Sequence, residues 1–97
     1  MRYEIVFAPG AVAAFKALAA RQRAEVKDGM ESHLRHEPTK TSKSRIKRLR
    51  GMSRPQFRLR IGEIRIYYDV SESTIEVLAI IEKSRSGEWL AKAGEKE

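Results

Sequence analysis

Residues 57 to 82 read FRLRI, GE, IRIYYDVS, ES, TIEVLAIIE, three alternating runs separated by two tight breaks. Period-two alternation marks a strand with one buried face, and a two-residue break between such runs fixes the pairing register. A turn at Gly62-Glu63 sets Ile61 against Ile64, Arg60 against Arg65, Leu59 against Ile66 and Arg58 against Tyr67. Gly62 at the first central position suits a type II′ turn. A second turn at Glu72-Ser73 sets Tyr68 against Val77 and Tyr67 against Leu78. It also sets Ile66 against Ala79 and Arg65 against Ile80. One face then carries Phe57, Leu59, Ile61, Ile64, Ile66, Tyr68, Val77, Ala79 and Ile81, and it must be covered. The other carries Arg58, Arg60, Arg65 and Tyr67, beside Leu78 and Ile80.

The cover comes from the first third of the chain. Residues 2 to 8 alternate with Tyr3, Ile5 and Phe7 on one side, which predicts a strand ended by Pro9-Gly10. From Ala11 the alanine-rich AVAAFKALAA predicts a helix with Val12, Phe15, Leu18 and Ala19 as its apolar stripe. A second helix is predicted over residues 21 to 36, with Val26, Met30 and Leu34 at four-residue spacing and Pro38 beyond it. Gly29 in its interior costs about 1 kcal/mol relative to alanine. The expected fold is α+β: an N-terminal strand, an α-helical hairpin, then three antiparallel strands covered on one face by the helices. Residues 86 to 97, SGEWLAKAGEKE, follow as a short C-terminal helix or tail with Trp89 and Leu90 as its apolar contacts. Ser84 and Ser86 read as turn residues. Residues 1–97 are expected to form one domain.

Charge narrows the function. The chain has 20 Lys and Arg against 13 Asp and Glu, a net charge of +7, which favours RNA, DNA or an acidic protein segment as partner. Much of the excess lies between residues 35 and 50, read as a mobile basic loop bearing Lys43, Arg45, Lys47, Arg48 and Arg50. With no cysteine, thiol catalysis and thiolate metal sites are excluded. His33 and His36 lie three apart without a completing ligand pattern and read as surface histidines. No metal or other cofactor is expected. MRYEIVF lacks the apolar run of a signal peptide and no stretch approaches a membrane span, so the protein reads as cytoplasmic.

Arg60 opposite Arg65 is the anomaly, since like charges across a ladder destabilise it. Three compensations are open. Asp69, Glu76 and Glu82 point to the same side in this register and would neutralise the arginines; the side chains would splay into water; or an anion would bind between them. Arginine suits the last, because its planar fork grips phosphate oxygens in pairs. Tyr67 and Trp89 would then offer surfaces on which a base stacks.

The order of elements, with RLRGM at 48 to 52 followed by FRLRIGEIRIYYDV and TIEVLAII, resembles the RelE/ParE superfamily of type II toxin–antitoxin toxins. The resemblance runs from Tyr3 to about Leu90. In its RelE branch it implies a metal-independent, ribosome-dependent mRNA endoribonuclease that inhibits translation. A 2′-hydroxyl attacks the neighbouring phosphate in line, leaving a cyclic phosphate and a 5′-hydroxyl. By position the family's catalytic residues fall on Arg58, Arg60, Arg65 and Arg85, with Tyr67 the nearby titratable hydroxyl. Lys43, Arg45, Lys47, Arg48, Arg50 and Trp89 fall to RNA binding. Arg58 and Arg60 stand where the best-studied branch has lysines, and arginine does not serve as a general base. The ParE branch implies inhibition of DNA gyrase instead, and a third reading is a module that only binds an antitoxin. Every branch implies a cognate antitoxin with an acidic or amphipathic C-terminal segment.

Overall fold

A computed structural model describes residues 1–97. The elements in chain order are β1 (Glu4–Phe7), α1 (Pro9–Ala17), α2 (Ala20–His33), β2 (Ile46–Arg48), β3 (Met52–Arg54), β4 (Phe57–Ile61), β5 (Ile64–Ser71), β6 (Thr74–Glu82), α3 (Lys83–Ala93) and β7 (Glu95–Lys96). The α+β class agrees with expectation. The three-stranded antiparallel sheet does not: five strands form one mixed sheet in the order β1-β6-β5-β4-β2. β1 lies parallel to β6, pairing Glu4 with Thr74 and Phe7 with Val77. No helix is long and apolar enough to cross a membrane.

The Gly62-Glu63 hairpin has the predicted register, with Arg60 opposite Arg65 and Arg58 opposite Tyr67. Gly62 adopts φ +56°, the left-handed region that a glycine enters without steric cost. The second hairpin departs from prediction after its first half. Tyr68 meets Val77, but a bulge then sets Tyr67 against Ala79, Ile66 against Ile80 and Arg65 against Ile81. Leu78 is the extra residue, so Ala79 and Ile81 pass to the arginine face and Ile80 passes to the helix face. The reason is burial. Regular pairing would place Ala79 opposite Ile66 at the centre of the core, whereas the bulge places Ile80 there, 5% exposed. An isoleucine buries more apolar surface than an alanine, and a bulge also tightens the local twist.

Helices α1 and α2 pack on the apolar face, where Ala11, Val26, Met30 and Leu34 join Leu59, Ile66, Tyr68, Ile75, Val77 and Ile80. Pro9 opens α1 at a position where its missing N–H costs nothing. Gly29 has a packing reason: a Cβ there would lie 2.1 Å from Cδ1 of Ile61. The helix thus passes close over the end of β4.

Residues 35 to 50 are more ordered than their composition predicts. Ile46 is their one apolar side chain before Leu49, and it is 4% exposed, closing the core beside Leu59 at the sheet edge. A strand of three residues with one apolar position leaves no periodicity to read. Tyr68 anchors the start of the segment, donating its buried hydroxyl to the Pro38 carbonyl at 2.6 Å. Burial pushes that hydroxyl's pKa up. A second small sheet pairs β3 with β7, and the C-terminal region is helical from Lys83. Ser84 and Ser86 therefore lie within α3, where Ser86 Oγ donates to the Lys83 carbonyl at 2.8 Å.

Tyr68→Phe is expected to lower unfolding free energy by about 1–3 kcal/mol, the cost of orphaning a buried carbonyl. Urea unfolding measures the loss, and hydrogen exchange at the Ile46 amide should quicken with it.

Candidate nucleic-acid interface

Paired residues of a sheet share a face, so the ladder places the basic side chains without further assumption. Lys47 of β2 pairs with Arg58, which pairs with Tyr67, which pairs with Ala79. In the next row Arg60 pairs with Arg65, and Arg65 with Ile81. Three strands, β2, β4 and β5, therefore present Lys47, Arg58, Arg60 and Arg65 on the surface away from α1 and α2.

None of these cations is neutralised. No carboxylate lies within ion-pair distance of Lys47, Arg58, Arg60 or Arg65. Asp69 and Glu76 are on this face, but Arg54 takes both, at 3.3 and 3.0 Å. Asp69 also accepts from the Gln56 amide at 2.8 Å. Burial holds its pKa above the usual carboxylate range, although the Gln56 amide and Arg54 oppose that rise. Glu82 is carried to the other side by the Leu78 bulge, opposite Ile64. The first of the three compensations open to the arginine face is thus absent.

The arginines differ in what they can reach. Arg65 is 5% exposed, and its guanidinium donates to the carbonyls of Gly62 at 2.8 Å and Ile64 at 3.2 Å. It ties down the turn that carries its neighbours. Desolvation, reinforced by Arg58 and Arg60, lowers its pKa from the ordinary guanidinium value. Arg60 is exposed and Arg58 partly so. The Nε of Arg58 is sealed from solvent with no acceptor, a donor left unsatisfied.

Helix α3 covers the other half of the face. Trp89 stacks on Tyr67 with centroids 5.0 Å apart and planes 22° from parallel. Tyr67 is only 4% exposed, so these two rings are partners for each other rather than a joint platform for a base. Arg85 projects from the first turns of α3, exposed, into a cleft of about 520 Å³ between α3 and the helix layer, whose other walls include Ala14, Ala17, Leu18 and Trp89; nothing in this lining comes from β4. Arg48 lies over the Phe57 ring at 5.5 Å and donates to the carbonyls of Leu49 at 2.8 Å and Gln56 at 2.9 Å. Lys43, Arg45, Lys47 and Arg50 are exposed and outside every ion pair. Arg54 is not legible as a site residue from sequence: the β5–β6 pairing brings Asp69 and Glu76 together, and Arg54 reaches them from β3, a contact that no spacing encodes.

The class defined by these features is a small mixed-sheet domain with α1 and α2 on one face and, on the other, an arginine cluster without carboxylate partners beside α3. No protein family and no curated protein matches the sequence. Among solved structures, the fold matches a chain of an archaeal RelE–RelB complex from Pyrococcus horikoshii OT3, with TM-score 0.70 and 23% identity over 88% of this chain and 99% of that one. It also matches a chain of a RelB–RelE antitoxin–toxin complex from Methanococcus jannaschii, with TM-score 0.65 and 20% identity over 87% of this chain and 96% of that one. At such identities the likeness establishes a shared fold.

An arginine cluster with no counter-charge should cost stability that an uncharged side chain restores. Arg58→Met keeps the aliphatic stem and removes both the orphaned Nε and the repulsion. It is expected to raise unfolding free energy by about 1 kcal/mol at low ionic strength, with the gain shrinking as salt is added. Denaturant titrations at two salt concentrations provide the check.

Proposed function

We propose that this chain is the toxin of a type II toxin–antitoxin pair and acts as a ribosome-dependent mRNA endoribonuclease. The observation that carries the reading is the Arg58, Arg60 and Arg65 cluster, which has no carboxylate partner and leaves one guanidinium nitrogen unsatisfied. The Nε of Arg58 is out of reach of a ligand, but a phosphodiester supplies acceptors for the solvent-facing donors of Arg60 and of the partly exposed Arg58. The fold shared with chains of RelE–RelB complexes supports the toxin–antitoxin setting, and the +7 charge suits an antitoxin with an acidic segment.

In the reaction implied by the resemblance, the 2′-oxygen forms a bond to phosphorus while the bond from phosphorus to the 5′-oxygen breaks. The 2′-oxygen loses a proton and the leaving 5′-oxygen gains one. Negative charge builds on the non-bridging oxygens, where fixed guanidinium donors act most strongly. Arg58 and Arg60 are the accessible donors of the sheet, Arg65 fixes the turn from beneath, and Arg85, exposed on α3, is the further cation that the resemblance implies. Tyr67 is the one titratable hydroxyl of the cluster. Because Trp89 covers it, proton transfer runs through solvent or follows displacement of α3.

That same covering favours a second reading, inhibition of DNA gyrase without hydrolysis by the chain itself, since no acid or base stands exposed among the arginines. The two separate in one experiment. Freed of antitoxin and added to a ribosome-containing extract, the chain is expected to arrest translation and yield mRNA fragments. Intact mRNA with gyrase-dependent DNA breaks would transfer the assignment to the gyrase reading. The double variant Arg58→Ala, Arg85→Ala should lose about 10²-fold or more of the cleavage rate while its circular dichroism is retained. Undiminished cleavage by that folded variant would refute the arginine site.

A further inference from the structure

Because α3 lies over the β5 and β6 side of the basic face, a strand held at Arg58 can continue only across β4 and β2. Along that path lies a polar recess of about 340 Å³ at the sheet edge, lined by Ser44, Arg45, Arg60 and Gly62, with no apolar residue. Its two arginines come from distant parts of the chain but are fixed to each other: the Arg60 amide donates to the Arg45 carbonyl at 2.9 Å. The turn bearing Ser44 and Arg45 is closed on itself. Ser42 Oγ accepts from the amides of Arg45 at 3.0 Å and Ile46 at 3.2 Å, and the Ser42 amide donates to the Ile46 carbonyl at 2.9 Å. Neither arginine has a carboxylate partner, and the Ser44 hydroxyl makes no hydrogen bond within the chain. Gly62 keeps the floor clear, with nothing within 4 Å of where a Cβ would stand.

We infer that Ser44, Arg45 and Arg60 form a second oxyanion subsite, which holds a backbone phosphate of the RNA strand beside the one held at Arg58. The inference rests on the RNA reading above. Two forks and a hydroxyl on a rigid frame match the oxygens of a phosphodiester. Arg58 and Arg60 lie two residues apart on β4, about 7 Å along the strand, and Arg45 stands about one strand spacing further out, so the group bound there is a neighbouring phosphate and not the one being cleaved. Arg60 is shared between the two positions, while Arg45 and Ser44 belong to the outer one alone.

The test uses a set of RNA hexanucleotides, each with one linkage replaced by an uncharged methylphosphonate, and measures binding by fluorescence anisotropy. With the wild-type chain, neutralising one particular linkage is expected to weaken binding about tenfold. In Arg45→Ala that linkage should become silent while the others keep their effects, and the salt dependence should flatten by about 0.7 in logarithmic slope. Arg45→Lys, which keeps the charge and loses the fork, should recover part of the coupling. Wild type and Arg45→Ala responding alike at every linkage would overturn the subsite and leave the RNA reading standing. Retained coupling without mRNA cleavage would retire the nuclease reading and keep the subsite. A wild-type chain that binds no RNA would overturn the subsite, and the extract assay decides the nuclease reading separately. Loss of binding to a polyglutamate peptide in Arg45→Ala, with RNA binding unchanged, would overturn the RNA subsite and assign the recess to an acidic protein.

Discussion

Leu59, Ile66 and Ile80 form one line across the middle of the sheet, each 5% exposed or less, and the rest of the molecule is arranged around keeping that line dry. The helices lie over it, Ile46 closes one side, and the Leu78 bulge exists to complete it. Strand geometry does the remainder. With side chains alternating across the pleat, burying Leu59 and Ile66 obliges Arg58, Arg60, Arg65 and Tyr67 to face the other way. The basic face is the reverse of the core, and no substitution that slips the register moves one without the other.

Between the two hairpins the legibility of the fold differs for a physical reason. At Gly62-Glu63, turn chemistry and alternation agree, and Arg58, Arg60, Arg65 and Tyr67 can be placed from letters alone. Along β6 the run VLAII is apolar at every position, so alternation carries no information about which residue faces inward. Only the competing volumes of Ala79 and Ile80 decide, and that contest depends on the helices above. The parallel pairing of β1 with β6 was likewise unreadable, since each strand's own pattern is the same whichever neighbour it has. β2 and β7 are too short to show any period.

The same division holds for the site. Sequence brought the hairpin arginines together, but not the difference between them. Arg65 is sunk against the carbonyls of its own turn, whereas Arg58 and Arg60 reach the surface. Sequence also left Tyr67 and Trp89 as two separate stacking surfaces; their mutual contact depends on α3 folding back over β5, which no local pattern encodes. Exposure is a tertiary property, and it separates residues that contact a ligand from residues that hold those contacts in place.

The pairing of β1 with β6 carries a consequence in time. Glu4 to Phe7 are made first, yet their partners, Thr74 to Val77, are not synthesised until some seventy positions later. During elongation the early strand and the two helices have no sheet to cover, and α2 has no Leu59 to pack on. Contacts this remote in sequence form slowly, because a long loop must close before they give any return. The β4–β5 hairpin that bears the arginines closes locally, but the sheet and helix layer behind it are complete only once β1 has met β6.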